Sequence, residues 1–187
     1  RRMVDEFSEF ARMPEPDKTS FNLIEILAEV VLLQTSAHSD VTISMDSDEE
    51  PVICLVDPTL INQVFNNLFK NAIESIETAV KQGLIGSKYD GLIKVEIDKM
   101  EQTILIKIID NGVGLPKKKN KLFEPYVTSR ENGIGLGLAI VKKIIDEHDG
   151  QLSLLDAKDF QPLNHRGAVA QVSLPIVSDP EEQISLF

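Results

Sequence analysis

The run DPTLINQVFNNLFKNAIESIETAVKQG, residues 57–83, constrains this chain more than any other stretch. Ile61, Val64, Phe65, Leu68, Ala72 and Ile76 recur at helical spacing, and Asp57 followed by Pro58 is the chemistry of a helix start. The run therefore reads as one long amphipathic helix whose apolar stripe must lie against other elements. A second feature of the helix is polar. At about 100° per residue, Asn67, Asn71 and Glu74 fall within roughly 60° of one another, at the edge of the buried face. Neutral amides are mediocre helix formers and costly to bury without partners. The stripe meets either water or something polar. Taken alone it reads first as solvated surface; the sharper alternative is a set of hard side-chain oxygens suited to Mg²⁺.

The other segments supply what this helix packs on. RRMVDEFSEFARM places Met3, Val4, Phe7, Phe10 and Ala11 at helical spacing with no cap, so a helix that starts before residue 1 is expected. Pro14 and Pro16 break it. Thr19 or Ser20 is expected to cap a second helix, FNLIEILAEVVLLQTSA. VTISM and VICLV read as strands, and LIKVEID and TILIKIID as an antiparallel hairpin. NGVGLPKKKNKLFEPYVTSRENG has little periodicity, and a loop of that length is usually functional or mobile. GLGLAIVKKIIDEHDG reads as a helix ended by Gly150. QLSLLDA and AVAQVSLP close the chain as strands, and SDPEEQISLF as a loose tail. Paired strands with separate helices imply an α+β two-layer sandwich rather than repeated parallel βα units.

Bulk properties narrow the class. A chain of 187 residues suits one domain of ordinary size. A net charge of −11 argues against a general affinity for nucleic acid. The lone cysteine, Cys54, lies in an apolar run and reads as a small core residue, which excludes an internal disulfide and fits a reducing compartment. No run approaches the roughly 18 apolar residues of a membrane span, as would equally hold for a piece of a longer membrane protein.

Three further constellations carry chemistry. Asp110 ends a buried strand and opens DNGVGL, where Gly112 and Gly114 allow close backbone approach; a ligand amine and an ordinary turn both explain it. NGIGLGLAIV spaces Gly133, Gly135 and Gly137 two apart and runs into a helix, whose exposed amides make an anion site. The spacing is neither the dinucleotide fingerprint nor a P-loop, and glycine for packing alone is the other reading. Lys117, Lys118, Lys119 and Lys121, with Arg130 beyond, form either a solvated loop or a lid over a triphosphate.

Each signal is weak alone, but their order is specific. Over roughly residues 17–177 the chain resembles the ATP-binding catalytic domain of histidine kinases, in the wider group that includes gyrase, Hsp90 and MutL. NNLFKNAIES resembles the N box, DNGVGL the first glycine box, LFEPYVTSR the F box and GIGLGLAIV the second glycine box. The resemblance implies a two-layer α/β sandwich, a mixed and mostly antiparallel sheet of about five strands with three main helices on one face. It implies ATP and Mg²⁺ as cofactors, with Asn71 on the metal and Asp110 on the adenine amine. The nucleotide set it implies is Asn67, Lys70, Asn71, Asp110, Gly112, Gly114, Leu115, Phe123, Thr128, Ser129, Arg130, Gly133, Gly135, Leu136, Gly137 and Leu138, with Phe123 and Pro125 in the lid.

One position separates the branches of the group. The ATP-hydrolysing members carry Glu four residues before the metal Asn; here Asn67 stands there, and an amide is no base near neutral pH. Glu74 lies on the wrong side to replace it directly. The chain thus resembles a kinase more than an ATP-driven clamp or a serine/threonine kinase of the anti-sigma-factor type. His38, His148 and His165 lack the context of a phosphoacceptor and read as structural or solvated, with His148 near a helix end that favours a cation. No catalytic residue beyond the nucleotide site is expected. Residues 1–16 resemble the end of the second helix of a dimerisation and phosphoacceptor hairpin plus linker, particularly in sensor kinases of the nitrogen-regulation type; residues 17–177 are then the catalytic domain and 178–187 a flexible tail. The implied partners are that hairpin and a response regulator, with no nucleic acid, and a monomer or weak dimer for this stretch. The implied location is cytoplasmic, at the inner face of the plasma membrane in a membrane-anchored sensor.

Overall fold

The structure, a computed structural model, describes residues 15–46, 50–87, 90–117, 121–125, 135–157 and 167–177. The long amphipathic run forms the central helix α2, Pro58–Lys81, between the flanking helices α1, Leu23–Ala37, and α3, Gly137–Glu147. Seven strands are formed among the described residues: β1 Thr19–Asn22, β2 Thr42–Asp46, β3 Ile53–Val56, β4 Leu92–Lys99, β5 Thr103–Asp110, β6 Gln151–Asp156 and β7 Ala168–Pro175. Five make one sheet in the order β2-β4-β5-β7-β6, while β1 and β3 pair as a separate antiparallel ribbon. The sheet is antiparallel except for β2 and β4, which run parallel because β3 and α2 intervene as a crossover.

Strict alternation in β5 sends Ile104, Ile106 and Ile108 into the core and leaves Thr103, Leu105, Lys107 and Ile109 on the open face. The three helices cover the other face, giving the expected two-layer α+β sandwich. α2 buries Ile61, Val64, Phe65, Leu68, Phe69, Ala72, Ile73, Ile76 and Ala79, so its apolar arc is wider than the six residues that define it in sequence. Cys54 is fully buried, and its burial pushes the thiol up to about 11, which leaves it an inert core residue at neutral pH. On the open face Lys107 is raised by its hydrogen bond to Asp98 at 2.8 Å, with its own desolvation working against the shift.

Several local expectations are corrected. Thr19 and Ser20 do not cap α1; they lie in β1, opposite Val56 and Leu55. The cap is Asn22, whose Oδ1 accepts from Ile24 N at 3.2 Å and from Val52 N at 3.0 Å, while its Nδ2 donates to Glu25 Oε1 at 3.0 Å. VTISM and VICLV are both strands but join different sheets. Gly150 is not the left-handed residue after α3: Asp149 is, at φ 57°. Gly150 is required for another reason, since a Cβ there would stand 2.5 Å from Ser173 O on β7. The helix expected over residues 1–13 and the tail 178–187 lie outside the described residues.

His148 is buried at 2% exposure, a structural residue rather than a solvated one. Its Nε2 accepts from Asp57 N at 2.9 Å, so the ring carries its proton on Nδ1, which donates to Ile144 O at 2.7 Å. The neutral ring therefore ties the end of α3 to the cap of α2, where Asp57 Oδ1 accepts from Thr59 N at 3.0 Å and Leu60 N at 3.1 Å. His148→Asn can keep the short bond to Ile144 but cannot reach Asp57. We expect it to lower the unfolding free energy by about 1 kcal/mol, the worth of one partly buried hydrogen bond. The measurement is the urea midpoint at unchanged slope; an unmoved midpoint would contradict the linking role.

Candidate functional site

The site builds up where the end of β5 meets the second half of α2. Asp110 is the last residue of β5, on the inward phase of the strand, and only 5% exposed. Its Oδ1 accepts from Gly112 N at 2.8 Å and from Ser75 Oγ at 3.1 Å. Ser75 Oγ in turn accepts from Val113 N at 3.1 Å. The turn after β5 thus folds onto α2, and Gly112 is what permits it: a Cβ there would lie 2.1 Å from Ser75 Oγ and 2.5 Å from Ser75 backbone carbon. Gly114, two residues on, adopts φ 76°, a left-handed conformation that favours glycine. Asn111 is fully buried and holds the opposite side of the turn, with Oδ1 accepting from Leu92 N at 2.8 Å and Nδ2 donating to Asp90 O at 2.9 Å.

Asn71 is partly buried on α2, one turn before Ser75. Asn67 is also partly buried; its Nδ2 donates to Gln63 O at 3.0 Å, and its Oδ1 faces α3, 3.4 Å from where a Cβ of Gly137 would stand. Gly135 has φ 75°, and α3 opens at Leu136 with no side chain capping its first amides. Those amides and the helix dipole favour an anion at this end. The stripe on α2 and the glycine-led start of α3 therefore lie side by side, as the spacing alone could not establish. Leu136 is buried, and Val113, Phe123 and Leu138 pack against the core partly buried. Leu115 is half-buried and Lys70 is exposed on the helix. Thr128, Ser129, Arg130 and Gly133, with Lys118 and Lys119, lie outside the described residues.

Two residues that shape this turn escaped sequence reasoning. Ser75 continues the polar stripe at the next helical turn from Asn71, a signal present in the spacing, but its partner is 35 residues away. Asn111 is hidden in a dipeptide that reads as an ordinary turn. A groove of about 420 Å³ runs along Ala139, Lys142 and Lys143 on α3 beside Phe123 and Pro125. Neither Asn71 nor Asp110 lines it, so its volume says nothing of the polar site. No group of His, Cys, Asp and Glu suited to a metal ion occurs among the described residues. An ion here would rest on amide oxygens and on the ligand's own oxygens, as Mg²⁺ commonly does.

A buried carboxylate at a strand end, an amide stripe and an uncapped glycine-led helix converge on one class of protein. The chain belongs to the histidine kinase-, DNA gyrase B- and HSP90-like ATPase family, whose model matches residues 56–178. Within that family it is a histidine-kinase catalytic domain, the ATP-binding part of such enzymes. Nitrogen regulation protein NtrY of Azorhizobium caulinodans is 46% identical over 160 residues, covering 84% of this chain and 20% of that protein. A putative NtrY-like sensor histidine kinase of Rickettsia bellii is 39% identical over 155 residues, covering 82% of this chain and 24% of that protein. The chain thus spans about a fifth to a quarter of the length of these relatives. The solved catalytic domain of histidine kinase ThkA matches with a TM-score of 0.69 and 29% identity, over 85% of this chain and 95% of that one. These relatives do not favour the clamp or serine/threonine-kinase alternatives. No helix among the described residues is long and apolar enough to cross a membrane.

Proposed function

We propose that this chain binds ATP with Mg²⁺ and passes the γ-phosphoryl group to a histidine that lies outside residues 1–187, for relay to a response regulator. The observation that carries the reading is the buried Asp110 carboxylate, fixed by Ser75 and Gly112 beside a stripe of amides. Asp110 accepts from the exocyclic amine of adenine, and Gly112, Gly114 and Leu115 bring the backbone close to the base. Asn71, with Asn67 beside it, holds the metal; Mg²⁺ when bound neutralises phosphate charge and fixes its orientation. Gly135, Leu136, Gly137 and Leu138 present amides at the start of α3 to the phosphates, and Lys70, Phe123, Thr128, Ser129, Arg130 and Gly133 are assigned to the same nucleotide. Phosphoryl transfer needs mainly positioning and charge neutralisation, which this set provides. Asn67 offers no base for water, so the domain keeps its nucleotide for the histidine.

We assign residues 1–16 to the end of a phosphoacceptor hairpin and linker, 17–177 to the catalytic domain and 178–187 to a tail. The likeness to ThkA solved in complex with the response regulator protein TrrA, with a TM-score of 0.71 and 26% identity, supports such a partner. The placement is cytoplasmic, in a membrane-anchored sensor, and this stretch is a monomer or weak dimer. The test is γ-labelled ATP. The chain alone is expected to bind ATP, hydrolyse very little and take no label; a separately made hairpin carrying its histidine is expected to acquire acid-labile label. Brisk hydrolysis by the chain alone, acid-stable label, or no nucleotide binding would each defeat the proposal.

A further inference from the structure

Ser75 uses both halves of its hydroxyl: it donates to Asp110 Oδ1 at 3.1 Å and accepts from Val113 N at 3.1 Å. The same Oδ1 accepts from Gly112 N at 2.8 Å. A carboxylate turns easily about its last torsion, whose wells are broad. Two donors converging on one oxygen from different elements, a helix and a turn, fix the plane of the group and so the direction of its other oxygen. The approach is tight enough that only glycine fits at residue 112. The serine is therefore built into the turn.

We propose that Ser75 is a positioning residue for base recognition: it holds the Asp110 carboxylate in the plane that meets an exocyclic amine. This rests on the reading that Asp110 recognises adenine, and it adds the residue that sets the selectivity of that recognition. Removing the hydroxyl leaves Asp110 in place but takes away one of the two donors on Oδ1, which loosens the plane of the carboxylate. The loss then falls on ligands that carry the amine.

The experiment compares ATP with purine riboside triphosphate, which lacks the 6-amino group, by calorimetry with Mg²⁺ on the whole chain. Ser75→Ala is expected to weaken ATP about tenfold, the worth of roughly one hydrogen bond, and to leave purine riboside triphosphate within about twofold. Ser75→Cys, with similar volume and a weaker donor, is expected to fall between. In an Asp110→Asn background, Ser75→Ala should add little to the discrimination between the two nucleotides, because both act through one contact. Equal weakening of both nucleotides by Ser75→Ala would make the serine merely structural and overturn the inference, as would unchanged ATP affinity. If Asp110→Asn itself does not discriminate between the nucleotides, the adenine assignment fails first and the inference falls with it.

Discussion

Asn71→Ala is expected to lower Mg²⁺-dependent transfer to a phosphoacceptor hairpin by on the order of 10²–10³-fold, the scale seen when one preorganised contact to transition-state charge is removed. The side chain stands on the face of α2 that also carries Asn67 and Ser75, partly buried and so partly shielded from water. Among the described residues no acidic or imidazole cluster can take over the ion. An amide oxygen is a neutral ligand, so alanine removes a ligand without adding charge, and the helix gains propensity. Asn71→Asp should fail differently, by setting a second negative charge against the triphosphate. Transfer assays and nucleotide calorimetry with and without Mg²⁺ read the effect. A folded Asn71→Ala protein with undiminished Mg²⁺-dependent binding and transfer would remove Asn71 from the metal site.

Asp110→Asn is expected to weaken ATP by about 1.5–3 kcal/mol, the range of a charge-assisted hydrogen bond, and to leave GTP nearly unchanged. The amide can keep its oxygen toward Gly112 N and Ser75 Oγ, which preserves the turn. Its other atom becomes an amino group, a donor facing a donor. Guanine carries a carbonyl at the ring position where adenine has its amine, so the parent protein should prefer ATP and the variant should lose the preference. Calorimetry on both proteins with both nucleotides decides it: comparable affinity for ATP and GTP in the parent would defeat the assignment of Asp110.

What the sequence made visible was local. The α2 stripe follows from a 3.6-residue period, Asp110 from a strict two-residue alternation that ends at a turn, and the α3 start from glycines that run into a helix. Pairing across distance was not visible. Thr19 and Ser20 look like caps because hydroxyls favour helix starts, yet they extend along β3 because Val56 and Leu55 wait there, more than thirty residues on. Nothing in VTISM says that its partner is Leu92–Glu96 in parallel register. Gly150 illustrates a right residue with a wrong reason: its small size serves β7, while Asp149 takes the left-handed turn, a conformation short polar side chains tolerate. His148 reads from sequence only by its place at the end of α3, and the donor that fixes its tautomer, Asp57 N, lies on another element. The same holds for Ser75, whose meaning depends on a turn that α2 does not contain.

The ribbon of β1 and β3 has a mechanical consequence. Asp17 N donates to Asp57 Oδ2 at 3.0 Å, and Val177 N to Ile53 O at 2.9 Å, so residue 177 is tied to the first residue of β3 and residue 17 to the cap residue that follows its last. Lys18 and Val177 line one groove of about 140 Å³ there. Asp110 pairs with Ala168 at the far end of the sheet, whereas Thr103 pairs with Pro175 at the ribbon end. Asp110 thus lies about 24 Å from the ribbon corner along β5, at roughly 3.4 Å per residue step. α2 is the rigid arm: it begins at that corner with Asp57 and carries Asn71 and Ser75 at its loaded end. A rotation of about 20° about that corner would carry the site through roughly 8 Å, given the strand rise that sets the arm. A rotation about that corner therefore displaces Asp110 by several ångströms together with Ser75 and Gly112, without deforming the turn they hold.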